Sequence, residues 1–172
     1  MRTEAPDRLQ WVGRRGIGVA NVDVKAATKK GIIVANAPQS NIVAAAEHTI
    51  GLLLAQSRNI PQANASLKAG KWERSSFGGV ELAEKTLGVV GFGRIGVLVA
   101  QRAKGLKMKV IAFDPYVSAA RFEELGVEGV EKIEDLYAAA DFITVHLPKS
   151  PETAGFVDEA AFAAMKDGVR IV

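Results

Sequence analysis

The 172-residue sequence contains no cysteine, and only 6% of its residues are aromatic. Without cysteine the chain has no disulfide framework, no zinc–thiolate site and no cysteine nucleophile. The 22 Lys and Arg residues exceed the 19 Asp and Glu residues by three, but they are scattered along the chain. A nucleic-acid interface needs a clustered basic face with aromatic residues interleaved, so we expect no nucleic-acid partner.

The sequence also has no long uninterrupted apolar run. Its most apolar stretch, residues 42–55, contains Glu47 and His48 and is shorter than the roughly 20 residues of a membrane-spanning helix. The N-terminal segment Met1–Asp7 lacks the apolar core of a secretory signal. We therefore expect no membrane partner and a cytoplasmic location. The sequence spacings of zinc and calcium motifs are absent as well, and we predict no metal site.

Short β-branched segments alternate with Ala-rich segments along the whole chain. This alternation is typical of βαβ units, and it predicts an α/β fold with a doubly wound parallel sheet covered by helices on both faces. The length fits one domain, or one domain with part of a second.

The predicted elements divide the chain into two parts. Residues 1–38 hold two strands and one helix, which are too few for a closed domain, so we predict them to be either part of a larger unit or an extension that packs on the rest. Residues 39–172 hold a helical arm at 40–80, followed by the main sheet. The predicted strands are residues 9–12 and 32–35 in the first part, and 86–90, 109–113, 127–130, 142–145 and 169–172 in the second.

The strongest chemical signal is Gly91-x-Gly93-x-x-Gly96, which lies between a predicted strand and a predicted helix. Asp114 ends the next predicted strand, about 20 residues further on, as the dinucleotide-binding fingerprint requires. In that fingerprint Gly91 permits a tight turn, and Gly93 lets the backbone approach a pyrophosphate. Gly96 lets the helix lie close to the strand.

The N-terminus of the following helix offers unpaired N–H groups and about half a positive charge to the phosphates. The Asp114 carboxylate can accept hydrogen bonds from both ribose hydroxyls and would repel a 2′-phosphate, so the pattern favours NAD over NADP. The alternative is a glycine turn that serves helix–sheet packing alone. The combination of strand, helix and acidic residue favours dinucleotide binding over this alternative.

Three further features have two interpretations each. His146 follows a predicted strand at the ligand-binding edge of the sheet. It is either a proton shuttle or a structural, cofactor-lining residue, and the lack of a paired carboxylate nearby in sequence favours the second role. The loop from Leu147 to Thr153 either covers a cofactor face or simply connects a strand to a helix. Arg14 and Arg15, beside Gly16–Gly18, either bind an anionic substrate or form a solvated basic turn, and spacing alone leaves both open.

Taken in order, these motifs resemble the D-2-hydroxyacid dehydrogenase family over nearly the whole chain. The segment Gly70-Lys71-Trp72-Glu73-Arg74 together with the glycine motif makes the resemblance specific. The stretches that carry it are Val12–Val19, Asn21–Asp23, Ala26–Ile32, Asn36–Pro38, Ala45–Thr49, Gly70–Arg74, Gly88–Gly96, Asp114–Pro115 and Asp141–Pro148.

The resemblance implies a Rossmann NAD-binding domain at 39–172, with residues 1–38 as a remnant of a flavodoxin-like substrate domain. It implies hydride transfer between NAD and a small-molecule substrate, 3-phosphoglycerate or another 2-hydroxy acid. It also implies a homodimer formed through residues 40–80, and Trp72, in an irregular segment of this arm, is expected at the interface.

The resemblance also assigns roles to single residues. Arg94 and Ile95 would contact the pyrophosphate and Asp114 the adenosine ribose. The candidate cofactor-binding residues are Gly91, Gly93, Arg94, Ile95, Gly96, Asp114, His146, Leu147, Pro148, Thr153 and Ile17. The candidate substrate-binding residues are Arg14, Gly16, Ile17 and Gly18.

The sequence departs from the family pattern at Ala20, where Asp is frequent, and at Arg15, where a small residue is usual. The family's catalytic Arg, Glu and His would lie beyond Val172. We therefore expect residues 1–172 to bind NAD but to turn over negligibly on their own. Three alternatives remain: a non-catalytic NAD-binding interaction module, another NAD-dependent D-2-hydroxyacid dehydrogenase, and a Rossmann enzyme with a different adenine-containing cofactor.

Overall fold

The computed structural model describes residues 8–16, 18, 19, 21–37, 39 and 41–172. The chain forms two compact units, the first ending at Ala44 and the second comprising Ala45–Val172. The division predicted after residue 38 falls next to Pro38, which lies outside the described residues. The structure places the change of unit in the first turn of a long helix.

The first unit is a strand–helix–strand motif. Strands β1 (Trp11–Gly13) and β2 (Ile33–Ala35) pair in parallel, and helix α1 (Val24–Lys29) connects them. The Asp23 side chain accepts a hydrogen bond from Ala26 N at 2.9 Å and caps α1. The sequence predicts a helix at 22–30 that Gly31 ends. The observed helix is shorter, at 24–29, and Gly31 follows its C-cap with φ +69°.

The second unit contains a five-stranded parallel sheet. Its strands are β3 (Thr86–Val90), β4 (Lys109–Phe113), β5 (Glu128–Gly129), β6 (Phe142–Val145) and β7 (Arg170–Ile171). They are arranged in the order β5-β4-β3-β6-β7. The central strand β3 is buried along nearly its whole length, because a parallel sheet of this kind is covered on both faces.

Helices cover the two faces of this sheet, which makes it doubly wound as predicted. Helices α2 (Ile42–Ser57), α4 (Arg94–Gly105) and α5 (Ala119–Glu124) pack on one face, and α6 (Ile133–Ala139) and α7 (Glu159–Ala164) on the other. The buried positions of α4 recur every three or four residues and lie at Gly96, Val99, Ala100 and Ala103, the spacing of one helix face.

Residues 58–80 form the rest of the predicted arm. Helix α3 (Ile60–Lys68) is followed by Gly70 at φ +76°, and a 3-10 turn (Arg74–Phe77) lies within the link that the sequence predicted to be irregular. Within the described ranges, no helix combines the length and apolar composition that a membrane crossing requires.

Several element ends differ from the sequence-based prediction. Strand β1 lies at 11–13 rather than 9–12, β5 covers 128–129 rather than 127–130, and β7 covers 170–171 rather than 169–172. Strands β5 and β7 are the edge strands of the sheet. Each pairs with one neighbour only, so its length is set by the hydrogen bonds on that one side. The sequence also predicts a last helix that begins at Asp158 and ends at Lys166. Helix α7 ends instead at Ala164, because the backbone at Met165 is extended, with ψ 160°.

Candidate functional site

The glycine turn after β3 is built from close backbone contacts. Gly91 has φ +88°, a conformation that favours glycine, and a Cβ there would lie 2.8 Å from the carbonyl oxygen of His146. A Cβ on Gly96 would overlap the carbonyl oxygen of Gly91. At Gly93, by contrast, no heavy atom of the described residues lies within 4 Å of the Cβ position, apart from the neighbouring residues of the chain. The backbone is therefore tightly packed at two of the three glycines and open at the third.

Helix α4 points its N-terminus out of this turn. Gly93 is its N-cap residue, no side chain caps it, and its first turn contains no acidic residue. Arg94 is exposed and Ile95 is half-buried. The first N–H groups of a helix lack intrahelical acceptors and carry partial positive charge. This 12-residue helix therefore presents an electropositive end suited to an anion.

Asp114 follows β4 directly and links two loops. Its Oδ2 accepts a hydrogen bond from Phe92 N at 2.8 Å, and its Oδ1 accepts one from Tyr116 N at 3.0 Å. The Phe92 side chain is buried against Phe122, with ring centroids 5.1 Å apart. The carboxylate thus braces the glycine turn against the end of the neighbouring strand.

The segment after β6 packs directly on the glycine turn. His146 N donates to the carbonyl oxygen of Val90 at 2.8 Å, and the His146 carbonyl lies against Gly91. Burial lowers the pKa of the His146 imidazole, so the ring is neutral near pH 7. Its Nε2 is 2.9 Å from Thr144 Oγ1, a hydroxyl partner rather than a carboxylate, which agrees with a lining role better than with a proton shuttle.

Thr153 organises the loop that follows. Its Oγ1 accepts a hydrogen bond from Ser150 N at 2.9 Å and donates one to the carbonyl oxygen of Pro148 at 2.5 Å. Leu147 is half-buried and Pro148 is exposed. The loop is held by its own hydrogen bonds, so the wall that it forms beside the glycine turn is preformed.

A cavity of about 720 Å³ opens beside Asp114, between the ends of β4 and β5. Its walls combine apolar side chains with carboxylates, and its lining includes Phe113, Asp114, Pro115, Val117, Phe122, Val130 and Glu131. The sequence pattern did not reveal this cavity, because its walls come from segments that become neighbours only when the sheet forms.

The predicted substrate residues lie in the first unit. Arg14 and Arg15 line a cavity of about 460 Å³ at the carboxyl ends of β1 and β2, together with Trp11, Gly13 and residues 35–37. The Arg14 Nε donates to the carbonyl oxygen of Gly18 at 3.2 Å, and Gly16 lies in the same loop. Ile17 is outside the described residues. A basic cavity of this kind suits a small anion.

The structure thus brings the predicted residues of the second unit together around the carboxyl ends of β3, β4 and β6. In an open α/β sheet this is the ligand-binding edge, and β3 and β6 flank the point where the strand order reverses. Sequence reasoning missed two contributors, the Phe92 amide and the Thr144 hydroxyl. The alternation of strand side chains would have placed Thr144 and His146 on one face.

A model of the family described as "D-isomer specific 2-hydroxyacid dehydrogenase, NAD binding domain" matches residues 50–172. D-3-phosphoglycerate dehydrogenase of Mycobacterium tuberculosis is 57% identical over 168 residues, which cover 98% of this chain and 32% of that protein. The Archaeoglobus fulgidus protein of the same name is 50% identical over 169 residues, with the same coverage of 98% and 32%. The chain thus spans about a third of the length of these curated relatives.

Solved structures agree with the fold. The apo-structure of D-lactate dehydrogenase from Escherichia coli matches with a TM-score of 0.86 and 38% identity, over 94% of this chain and 51% of that one. D-lactate dehydrogenase from Aquifex aeolicus, complexed with NAD and lactic acid, matches with a TM-score of 0.80 and 31% identity, over 95% and 49% of the two chains.

Proposed function

Since this chain belongs to the D-isomer-specific 2-hydroxyacid dehydrogenase family, as part of its NAD-binding domain, we propose that residues 86–153 form the NAD site of a D-3-phosphoglycerate dehydrogenase. In this proposal the pyrophosphate rests on the N-terminus of α4 and the adenosine ribose on Asp114. The segment His146–Pro148, with Thr153 behind it, forms the wall of the cofactor cleft.

The observation that carries the proposal is the contrast between the three glycines of the turn. Packing accounts for Gly91 and Gly96, where a Cβ would collide with backbone atoms. Packing does not account for Gly93, because its Cβ position is open and the residue is exposed. A glycine at this position is explained by a ligand whose phosphates approach the backbone from outside, which disfavours the alternative of a turn built for packing alone.

The donors and acceptors of the site match NAD. Each carboxylate oxygen of Asp114 has accepted one backbone hydrogen bond and keeps a lone pair for a ribose hydroxyl. The neutral His146 ring adds no charge beside the nicotinamide end of the cleft. When bound, NAD supplies the hydride acceptor for oxidation of a 2-hydroxy acid, while the protein binds and orients it.

Calorimetric titration of the 172-residue chain with NAD and with NADP tests the proposal. We expect one NAD per chain and weaker binding of NADP. Gly93→Asp places a carboxylate where the pyrophosphate would lie, so it should abolish NAD binding without lowering the melting temperature. The matched control is Gly105→Asp, at the exposed far end of α4, where a Cβ also has open space. Equal NAD affinity in both variants would contradict the site.

The substrate that we propose is 3-phosphoglycerate, and its oxidation to 3-phosphohydroxypyruvate reduces NAD and releases one proton. The 57% identity to the mycobacterial D-3-phosphoglycerate dehydrogenase supports this choice over another 2-hydroxy acid such as lactate. The basic cavity beside Arg14 suits the carboxylate or phosphate of the substrate. The corresponding place in metabolism is serine biosynthesis in the cytoplasm.

Steady-state assays with 3-phosphoglycerate and with D-lactate distinguish the substrates. We expect residues 1–172 to turn over either one negligibly, and a form of the protein that includes the family's catalytic Arg, Glu and His to prefer 3-phosphoglycerate. A preference for D-lactate in that form would contradict the substrate assignment while leaving the NAD site intact.

We further propose a homodimer formed through residues 40–80. In this arm Trp72 is 80% exposed and Leu67 is 58% exposed, and both line an apolar cavity of about 360 Å³ with Ala63 and Phe77. Such exposed aromatic and apolar side chains are typical of interface anchors. Sedimentation velocity should show a dimer that Trp72→Ala weakens, and a monomer at all concentrations of the unmodified chain would contradict the proposal.

A further inference from the structure

Two backbone contacts connect His146 to the glycine turn. Its backbone N–H extends the pairing of β6 with β3 by one hydrogen bond, to the carbonyl oxygen of Val90 at 2.8 Å. Its carbonyl group fills the space in which a Cβ of Gly91 would lie, 2.8–2.9 Å away. A displacement of residue 146 therefore moves the backbone that precedes the N-terminus of α4.

The imidazole of His146 folds back along its own strand. Residues 144 and 146 lie on the same face because side chains alternate along a strand, and His146 Nε2 is 2.9 Å from Thr144 Oγ1. Thr144 has no solvent exposure. A buried threonine hydroxyl at the end of a strand needs a hydrogen-bond partner, and the neutral ring offers one nitrogen as donor and the other as acceptor.

We propose that Thr144 is a positioning residue for the cofactor site, whose buried hydroxyl fixes the orientation of the His146 ring and thereby holds the 146–148 segment against the glycine turn. The inference rests on the proposed function, since it takes that segment as a wall of the NAD cleft. Thr144 itself touches no part of the proposed cofactor path. It acts through His146, and the sequence pattern gave it no role.

The ring itself provides the first test, with no cofactor present. The chain has two histidines, and His48 is exposed on α2, so it serves as an internal reference in a 15N-edited spectrum of the imidazole nitrogens. We expect the Nε2 resonance of His146 to show the shift of a hydrogen-bonded nitrogen, different from that of the exposed His48. A wild-type His146 whose Nε2 shift equals that of His48 would overturn the inference before any variant is made.

Two variants of Thr144 give the second test. Thr144→Val keeps the shape of the side chain but removes the hydroxyl, and Thr144→Ser keeps the hydroxyl. We expect Thr144→Val to free the His146 ring, seen as a loss of the hydrogen-bonded shift of Nε2, and to weaken NAD binding about three- to tenfold, the contribution of a single hydrogen bond. Thr144→Ser should restore both properties to nearly wild-type values. The matched control is Thr49→Val, which removes a buried hydroxyl bonded to the Ala45 carbonyl oxygen on α2.

The outcomes separate this inference from the proposed function. A Thr144→Val chain with an unchanged His146 spectrum, or with a released ring and unchanged NAD affinity, would overturn the positioning role. If Thr49→Val lost as much NAD affinity as Thr144→Val, the loss would reflect lower stability of the chain in general, and the positioning role of Thr144 would be overturned. Failure of the wild-type chain to bind NAD would instead overturn the proposed function, and the ring spectra would still report whether Thr144 fixes His146.

Discussion

Replacing Asp114 tests two roles of its carboxylate, which are to brace the glycine turn and to contact the ribose of the cofactor. A measurement of NAD affinity alone does not distinguish these roles. The carboxylate braces the glycine turn through Phe92 N at 2.8 Å and holds its own loop through Tyr116 N at 3.0 Å. Hydrogen bonds to a charged group contribute about 1.5–3 kcal/mol each. Asp114→Ala should therefore lower the free energy of unfolding and weaken NAD binding even if the side chain never touched the ribose.

The ratio of NADP to NAD affinity separates the two roles. A carboxylate facing the ribose repels a 2′-phosphate by about 1 kcal/mol per charge pair at roughly 4 Å in water, and by about 4 kcal/mol at an effective dielectric constant near 20. Removing the charge should therefore raise the NADP-to-NAD ratio at least about fivefold, whereas loss of the brace alone weakens both cofactors equally. Asp114→Asn should raise the ratio as well, with a smaller loss of stability, because one amide oxygen remains to accept a backbone N–H.

The assay is calorimetric titration of both cofactors into the wild-type chain, Asp114→Ala and Asp114→Asn, with thermal melts of each. Asp135→Asn, an exposed carboxylate in the first turn of α6, is the control for a change of net charge. If both Asp114 variants lose affinity but keep the wild-type NADP-to-NAD ratio, the carboxylate is a structural brace and the ribose assignment is refuted.

Three further outcomes are expected. Gly96→Ala should lower the free energy of unfolding by about 1–3 kcal/mol through overlap with the Gly91 carbonyl, as measured in urea, whereas Gly105→Ala, which has open space, should not destabilise the chain. Burial lowers the pKa of His146 below its ordinary value of 6.5, so the unfolded chain takes up the proton more readily than the folded one. The free energy of unfolding therefore falls as the pH drops through 6.5. The wild-type chain should then lose more stability than His146→Gln between about pH 7.5 and about pH 5.5, and equal losses would contradict the shift. Among the described residues the buried Tyr137 hydroxyl has no hydrogen-bond partner, so Tyr137→Phe should leave the melting temperature unchanged or raise it, and a clear decrease would reveal a partner.

The central strands were predicted to the residue, while the edge strands were not. Strands β3, β4 and β6 match the predicted ranges, because each contains at least two β-branched residues and ends directly before Gly91, Asp114 or His146, and each has neighbours on both sides of the sheet. The two edge strands are shorter than predicted. Residues 127–130 include Glu128 and Gly129, which have low β-propensity, whereas residues 169–172 are mostly β-branched. In both cases the length of the strand also depends on how far a single neighbour runs beside it.

The features of the candidate site likewise fall into two groups. A local sequence pattern identifies the first group, and only contacts between distant segments reveal the second. Gly91, Gly93, Gly96 and Asp114 could be assigned from the sequence, because the turn, the helix and the next strand follow one another along the chain at fixed spacing. Their assignment to cofactor binding stays a prediction until the titrations are done. The 720 Å³ cavity beside Asp114 and the brace from Phe92 N could not be assigned, since no local pattern encodes them.

By itself, the sequence determined the α/β class, the position of the glycine turn and the family, because these depend on periodicity, glycine spacing and motif order along the chain. Only the tertiary structure decided that the Cβ position of Gly93 is open while those of Gly91 and Gly96 are filled, and that the Thr144 hydroxyl lies 2.9 Å from His146 Nε2. The physical reason is that steric exclusion and hydrogen bonding act between neighbours in space. The strand order of the sheet places β6 beside β3 although more than fifty residues separate the two strands in sequence.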